Sequence, residues 1–264
     1  SFDVIPNTGG YGLYSTTHLV SFLLPWLRVA GSREQLAEAL RMLDWREEIK
    51  ATIMSGKWYG LNPNINPNWA RGNKIMEAKS SEYIGKTVAE IAASRKTEQL
   101  DTLFDLIQED PYTRIAGMSF SSPTKALFYK HKAMMAGIDT LAVDTEWKSN
   151  TAPWYLPSQN SFNGFAAYFE DVVRVDKTLS LEQAVHHVTG VPAKKFKLTD
   201  RGVLKEGAYA DIVVMDIDKV KDMSTPLNPC VYPDGINHVL VNGVQVVDNM
   251  THTGNKPGKV LYRE

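Results

Sequence analysis

The sequence predicts an α/β fold followed by a small all-β region. Segments with strand character alternate with amphipathic helices over most of the chain, and a period-two alternation of apolar residues replaces this pattern from near Thr199. Alternating strands and helices are typical of parallel strands joined by crossover helices. The chain has 264 residues, 43% of them hydrophobic, so it can bury one large core or two modest ones.

Capping residues, prolines and glycines predict one strand and two helices in the first part of the chain. The segment FDVIPNTGG, residues 2–10, predicts a short strand that ends in a loop at its proline and glycines. In SREQLAEALRML, apolar residues at three- and four-residue spacing predict a helix that begins after an N-cap at Ser32, with Gln35 completing the capping pattern. A second amphipathic helix, DWREEIKATIMSG, ends at Gly56.

The middle of the chain begins with a segment rich in Asn, Pro and Gly, residues 57–81, which predicts a loop or an isolated strand where functional residues or a lid can lie. Residues 86–110 predict two helices, and TRIAGMSF, residues 113–120, predicts a strand. Aromatic residues in the predicted loops either line an apolar ligand pocket or anchor those loops; they include Trp58, Tyr59, Trp69, Trp154 and Tyr155.

The leading catalytic candidate comes from the next segment. Residues 122–137 predict a helix, DTLAVD at residues 139–144 a strand, and residues 161–175 another helix. Loops at the carboxyl ends of parallel strands converge on one face and carry the chemistry, and Asp144 closes the DTLAVD strand. A carboxylate there can act as a general base on a bound water or help to hold a metal. Alternatively, Asp144 caps the next loop or pairs with Lys148.

The C-terminal region begins with a helix whose capping box is formed by Ser180 and Gln183. Residues 200–216 and 236–249 then alternate with period two, and Asn242-Gly243 lies between two valine-rich arms of the second segment. Because Asn-Gly is the strongest short hairpin signal, a separate small β domain is expected from near Thr199.

Charge and cysteine content exclude several classes of protein. Lys plus Arg (29) nearly balance Asp plus Glu (30), so we expect neither a nucleic-acid partner nor a membrane surface.

The longest apolar stretch, residues 19–27, is short and contains a proline, and no signal peptide is visible. The single cysteine, Cys230, excludes an internal disulfide framework and favours a reducing, cytoplasmic location. The chain opens directly in a strand, which suggests part of a longer protein.

The sequence contains no complete metal site. None of the six histidines forms His-x-His or His-Glu-x-x-His, and there is no Cys-x-x-Cys. His186 and His187 are adjacent on a predicted helix, so they point about 100° apart and do not easily serve one ion. Cys230 has no neighbouring histidine and is better interpreted as a bystander than as a nucleophile. Asp144 is the one residue retained as a possible metal ligand.

The end of the chain resembles a known family. DRGVLKEGAYADIVVMD, followed by YPDGINHVLVNGVQVVDNMTHTGNKPGKVLYRE, is similar to the C-terminal region of the D-aminoacylases, the N-acyl-D-amino-acid deacylases of the amidohydrolase superfamily. The helix SLEQAVHHVTGVPAKKFKL resembles that family's last helix. The resemblance is strong over residues 179–264 and weaker before them, and the ordered combination of ADIVV, VNG and HTG-x-x-PG-x-VL carries it.

The resemblance implies a fold. The family has a metal-dependent (β/α)8 TIM-type barrel flanked by a small β-sandwich, which makes FDVIPNTGG the seventh barrel strand and DTLAVD the eighth. Residues 1–198 are then expected to be the C-terminal part of the barrel, with a long helical insertion at about residues 11–110, and residues 199–264 part of the sandwich.

The resemblance also implies a reaction, the zinc-dependent hydrolysis of a non-peptide carbon–nitrogen bond in a small-molecule N-acyl amine. Asp144 then matches the catalytic aspartate, which is base toward the metal-bound water and acid toward the leaving amine. The family's metal ligands, a His-x-His pair, a cysteine and two further histidines, lie on earlier strands. We therefore expect zinc in the full-length enzyme, and neither bound zinc nor turnover from this chain alone.

Two positions depart from the family pattern at the substrate. Asn7 stands where relatives carry a tyrosine, and Asn160 stands where they carry an arginine that binds the substrate carboxylate. Loss of such a charge-assisted pair removes roughly 1.5–3 kcal/mol. As substrate-binding residues, Asn7 and Asn160 suggest a substrate without that carboxylate, unless Arg71 or Lys148 supplies the charge.

Two other functions stay open. The chain is alternatively a noncatalytic binding or structural fragment that docks on a partner chain, or a relative of hydantoinase-like cyclic amidases, which would share Asp144 but not a long insertion. Because a partial barrel exposes strand edges and apolar surface, we expect it to bind its missing N-terminal half or to form a homo-oligomer.

Overall fold

A computed structural model describes residues 1–5, 14–58, 60–117, 125–152 and 154–261. The chain divides into two compact units. The parallel-strand unit consists of residues 1–8, 120–142 and 159–264, and the inserted unit consists of residues 9–119 and 143–158. Asn7 lies outside the described residues, so its predicted role in substrate binding stays a prediction.

Helices and strands alternate irregularly along the described chain. The helices are α1 (Leu24–Ala30), α2 (Arg33–Ala39), α3 (Leu43–Met54), α4 (Val88–Arg95), α5 (Gln99–Glu109), α6 (Lys125–Tyr129), α7 (Asn160–Phe169), α8 (Leu181–Val188) and α9 (Gly190–Phe196). The strands are β1 (Phe2–Val4), β2 (Tyr14–His18), β3 (Asn73–Glu77), β4 (Arg114–Gly117), β5 (Met134–Ala136), β6 (Leu156–Pro157), β7 (Ile212–Met215), β8 (Ile236–Val241), β9 (Val244–Asp248) and β10 (Thr251–His252). Short 3-10 helices cover Leu19–Leu23, Trp69–Arg71 and Ser81–Tyr83, and a π-helical turn, Glu170–Val175, extends α7.

The parallel-strand unit is built on the pairing of β1 with β5, in which Asp3 lies opposite Met135. Met134 is fully buried in a core with Tyr129 of α6 and Tyr168 of α7. The rings of Tyr129 and Tyr168 meet edge to face at a centroid distance of 5.7 Å, a favourable geometry for aromatic pairs. This core fixes β1, β5 and α7 relative to one another.

Two sequence predictions around β5 are wrong. The helix predicted over residues 122–137 ends at Tyr129, because the His131 ring closes a turn by accepting the Ala133 N–H (3.2 Å), and the chain then enters β5. The strand predicted over residues 139–144 is absent, and Leu141 in its apolar run is 44% exposed. An apolar run predicts a strand only where a neighbouring strand pairs with it, and this one has no such neighbour among the described residues.

The inserted unit contains an antiparallel sheet with strand order β3-β4-β2-β6. The strand predicted at residues 113–120 is therefore present as β4, but it pairs antiparallel with β2 and β3 instead of joining a parallel sheet. Helices α1 to α5 contribute the unit's core, which includes Leu36, Ile53 and Phe104. The predicted N-cap of α2 is confirmed, since Ser32 Oγ accepts the Gln35 N–H at 3.1 Å.

The C-terminal strands form an antiparallel sheet with order β10-β9-β8-β7. The predicted hairpin is confirmed: Asn242 and Gly243 join β8 to β9 with φ angles of +50° and +80°, as a type I′ turn requires. The capping box of α8 is confirmed as well, because Ser180 and Gln183 each accept the other's backbone N–H. Within the described residues, no helix combines the length and the apolar character needed to cross a bilayer.

Candidate active site at the end of the parallel strands

Asp144 does not lie at a strand end. Strand β5 stops at Ala136, and residue 144 belongs to the inserted unit. The carboxylate is exposed, its Oδ1 accepts the Glu146 N–H at 2.9 Å, and the Asp144 carbonyl accepts the Trp147 N–H at 3.1 Å. These contacts make Asp144 the first residue of a side-chain-capped turn, which is the loop-capping alternative to a catalytic role.

Asp139 is the first carboxylate after β5. The Gly137 N–H donates to the Val4 carbonyl at 3.1 Å, which continues the parallel ladder one residue past the strand. Asp139 follows with a φ of +40°, and it is exposed. Asp tolerates this left-handed region better than most residues, and such backbone strain is concentrated at functional sites. The sequence prediction did not consider Asp139, because it placed the strand several residues too late.

The loop that carries Asp139 is held by the first turn of α7. Asn160 Nδ2 donates to the Ile138 carbonyl at 3.3 Å, and the hydroxyls of Thr140 and Ser161 are 2.6 Å apart. The two residues on either side of Asp139 are therefore both bonded to α7. Asn160 is 6% exposed, so its amide supports the loop from within the unit, a role that the sequence did not predict.

Close packing adds to these hydrogen bonds. A Cβ added at Gly164 of α7 would lie 2.6 Å from Cγ2 of Ile138, and one added at Gly137 would lie 3.0 Å from Oδ2 of Asp3. Both distances are shorter than ordinary van der Waals contact. A larger residue at position 164 would therefore force Ile138 to move, whereas one at position 137 would crowd the Asp3 carboxylate.

The first half of α7 is anchored on its other side by the loop before β8. Fully buried Asn163 donates to the Val231 carbonyl at 2.7 Å and accepts the Met223 N–H at 3.3 Å. Gln159 Nε2 donates to Ser224 Oγ at 2.9 Å. Neighbouring Asp222 has its pKa raised, mainly by burial and further by the charges of Glu170 and Asp171. The helix start is thus a rigid platform for the Asp139 loop.

The described residues do not fit a metal centre. All six histidines, Cys230, every aspartate and every glutamate except Glu264 lie in the described ranges. Among them, no group of three such side chains is close enough to hold a metal ion. We therefore derive no step through a metal from this chain, and the expectation that the chain alone binds no zinc stays a prediction.

The charged alternatives for a substrate carboxylate both lie in the inserted unit. Arg71 is the last residue of the 3-10 turn at residues 69–71, and Lys148 lies just after the turn that follows Asp144. Both side chains are exposed, and no ion pair involves either of them within the described ranges. Neither is excluded as a carboxylate ligand by an existing partner.

Comparison with known proteins gives consistent matches. A model of the amidohydrolase family matches residues 67–247. An N-acyl-D-glutamate deacylase from Alcaligenes xylosoxydans xylosoxydans is 36% identical over 136 residues, which cover 52% of this chain and 26% of the relative. The matched part thus spans about a quarter of that relative's length.

Solved structures of deacylases also match. A D-aminoacylase mutant in complex with copper chloride is 29% identical, with 73% of this chain and 38% of that chain covered at a TM-score of 0.51. An N-acyl-D-glutamate deacylase from Bordetella bronchiseptica, in complex with zinc and a phosphonate mimic of the tetrahedral intermediate, covers 68% of this chain and 36% of its own at 28% identity and a TM-score of 0.48. The amidohydrolase family model covers more than half of the residues of this chain, so the chain belongs to that family.

Proposed function

We propose that this chain is the C-terminal part of a zinc-dependent amidohydrolase that hydrolyses the amide bond of a small N-acyl amine, as the N-acyl-D-amino-acid deacylases do. Family membership, the C-terminal motifs and the deacylase relatives support this proposal. The zinc ligands come from polypeptide outside this chain, since the described residues offer no such group. Zinc is the cofactor of the whole enzyme.

The observation that carries the proposal is the parallel pairing of β1 with β5, together with a carboxylate, Asp139, three residues after the end of β5. In the proposed architecture, β1 and β5 are the last two strands of a (β/α)8 barrel, and strands β7 to β10 are part of a small β-sandwich. The two stretches of the inserted unit follow β1 and β5 along the chain. Carboxyl-terminal loops are where enzymes of this architecture keep their active sites.

Asp139 is the acid–base residue of the proposed reaction. Amide hydrolysis forms a carbon–oxygen bond from water to the acyl carbon and breaks the carbon–nitrogen bond, and the leaving amine needs a proton. A carboxylate at the strand end takes the proton from the water and delivers it to the amine nitrogen. Asp144, the residue favoured by the sequence, is the second candidate for this role.

Substitution of each aspartate in the whole enzyme separates the two candidates. D139N should lower kcat about 10²- to 10⁴-fold, the usual contribution of a general acid–base group, whereas D144N should change it less than about threefold. Asn is nearly isosteric with Asp, so D144N is a matched control. If D144N abolishes turnover and D139N does not, Asp144 is the catalytic residue and the strand-end argument is wrong.

Asn7 and Asn160 bear on whether the substrate carries a carboxylate, because they stand where relatives carry a tyrosine and a carboxylate-binding arginine. We propose that the substrate lacks the carboxylate that relatives bind with arginine, or that Arg71 or Lys148 binds it. Turnover of an N-acyl-D-amino acid and of its neutral amide by the whole enzyme distinguishes the two, because a bidentate or paired cation favours the acid by about tenfold or more. R71M and K148M then identify the cation if the acid is preferred.

The proposed setting is cytoplasmic, with a small-molecule substrate and without nucleic acid or membrane partners, in keeping with the balanced charge and single cysteine. The chain by itself should be inactive and should bind its missing N-terminal half or a second copy. Light scattering at tens of micromolar tests this association. Appreciable zinc-dependent hydrolysis by the isolated chain would contradict the proposed division of the active site.

A further inference from the structure

Three consecutive residues in the loop before β8 are hydrogen-bonded to α7 and its flanking residues. The contacts join the Asp222 N–H to Oε2 of Glu170 (3.0 Å), the Met223 N–H to Oδ1 of Asn163 (3.3 Å) and Oγ of Ser224 to Nε2 of Gln159 (2.9 Å). Glu170 directly follows α7, and Gln159 directly precedes it. All of these residues belong to the parallel-strand unit. The segment 222–224 therefore lies along α7 from its C-terminal end to its start.

The helix positions bonded to this segment share one face of α7. At about 100° per residue, positions 159, 163 and 170 fall within roughly 40° of one another around the helix axis. The residues that contact the Asp139 loop, Asn160, Ser161 and Gly164, are centred about 130° away. Helix α7 thus has the segment 222–224 against one face and the Asp139 loop against another, so a rotation of the helix would disturb both sets of contacts.

Asp222, Ser224 and Gln159 form a hydrogen-bonded chain with a fixed direction. The side-chain nitrogen of Gln159 only donates, so Ser224 Oγ accepts from it and gives its single proton to Oδ1 of Asp222 at 2.6 Å. The Ser224 N–H donates to the same oxygen at 2.8 Å. A carboxylate acceptor makes such bonds shorter and stronger than a neutral acceptor does. The chain fixes the side chain of Gln159, the residue immediately before α7.

The other end of the segment is held by an ion pair. Oε1 of Glu170 accepts from Nη2 of Arg174 at 3.0 Å, while its Oε2 accepts the Asp222 N–H. Nη1 of Arg174 donates to the Asp218 carbonyl at 2.7 Å. Because both ends and the middle of α7 are bonded to residues 218–224, the helix can neither rotate nor shift along its axis without breaking several hydrogen bonds.

We propose that Asp222, Ser224 and Gln159 are positioning residues of the active site: they fix α7, whose first turn holds the loop that carries Asp139. This inference rests on the proposed function and deepens it. The first turn of α7 is bonded to the residues on either side of Asp139. Loss of the Ser224 hydroxyl would free the Gln159 side chain and loosen this turn, and the carboxylate of Asp139 would then no longer be held in one place.

Hydrogen exchange of the whole enzyme tests this support without any activity. In S224A and in Q159E, amides of residues 136–142 and 159–165 should exchange about tenfold faster than in the unsubstituted enzyme, because local opening becomes easier. Q159E is nearly isosteric, but it replaces the donating amide by a second acceptor, which the single Ser224 proton cannot also serve. S224T keeps the hydroxyl and should keep the protection.

T225A is the matched control for S224A. It deletes a hydroxyl from the next residue, where Oγ1 of Thr225 accepts the Asn228 N–H at 3.0 Å within the same loop. T225A should leave the exchange of both stretches unchanged. Equal exchange in S224A and T225A would overturn the proposal.

Kinetics of the whole enzyme distinguish positioning from a purely structural role. S224A should lower kcat about tenfold or more while KM changes less than about twofold, because misplacement of a catalytic group affects the chemical step. S224T should recover kcat, and T225A should leave both constants unchanged. Faster exchange with an unchanged kcat would refute the positioning role. If the unsubstituted enzyme hydrolyses no N-acyl amine, the proposed function fails, whereas the exchange result still decides whether the chain from Asp222 to Gln159 holds the loop.

Discussion

Replacing Gly164 by alanine tests how tightly α7 is packed on the Asp139 loop. The new Cβ would lie 2.6 Å from Cγ2 of Ile138 and 3.3 Å from both Cβ of Ile138 and Cβ of Asn160. Reaching ordinary contact requires the Ile138 side chain to retreat by about 0.8 Å. Such overpacking costs about 1–3 kcal/mol, whereas Gly to Ala in a helix gains about 1 kcal/mol. We expect G164A to lower the free energy of unfolding by about 1 kcal/mol.

Urea unfolding measured for two further variants separates the clash from other effects. G258A is the matched control, because a Cβ at Gly258 meets nothing within 4 Å, and it should change the free energy of unfolding by less than about 0.5 kcal/mol. In an I138A background, which removes Cγ2, adding G164A should cost nothing or stabilise by up to about 1 kcal/mol. If G164A alone stabilises the chain, α7 does not press on Ile138, and this packing does not fix the Asp139 loop.

Two further predictions concern His18 and Ser180. Burial and the positive charges of Arg33 and Arg114 lower the pKa of His18 to about 4 in the folded chain, against 6.5 for the free side chain. The unfolded chain thus binds a proton more readily than the folded chain. The free energy of unfolding therefore falls by up to about 3 kcal/mol as the pH falls from about 6.5 toward 4. In urea unfolding, H18Q should reduce this dependence on pH, and an unchanged slope would contradict a neutral buried His18. S180A removes the cap of α8 and should lower the unfolding free energy by about 1 kcal/mol, whereas S180T should nearly preserve it.

Local signals are sufficient to predict many elements. The caps at Ser32 and Ser180 and the Asn242-Gly243 turn are all predicted, and the two helices expected within residues 86–110 are α4 and α5. Each of these features depends on hydrogen bonds and side-chain spacing within a few residues. Such information is fully present in a single sequence.

Pairing between distant segments is not predictable in the same way. Strand β4 is expected in a parallel sheet, yet its partners β2 and β3 make it antiparallel. Strand β5 has only three residues, Met134–Ala136, and its apolar character continues the helical pattern before it. Neither periodicity nor propensity reports which strands meet, because that choice is decided by contacts far apart in sequence.

The choice of a candidate acid depends on where the strand is placed. The sequence favours Asp144 because an apolar run precedes it, whereas the structure ends the pairing at Ala136 and leaves Asp139 as the nearest acid. The contact of Asn160 with Ile138 has no sequence signal at all, because it joins side chain to backbone across a loop. The end of β5, in contrast, has a sequence signal, because Gly137 closes the run KAMMAG and marks a place where a strand can stop.

The inserted unit is assembled from two stretches of unequal length, residues 9–119 and 143–158. Deleting only the long stretch would remove β2, with which β6 pairs, and Arg33, whose guanidinium lies over the Trp154 ring. A viable miniature must therefore delete both stretches together or keep both. The same logic applies to natural variation in length: gain or loss of this unit requires two coordinated events in the gene.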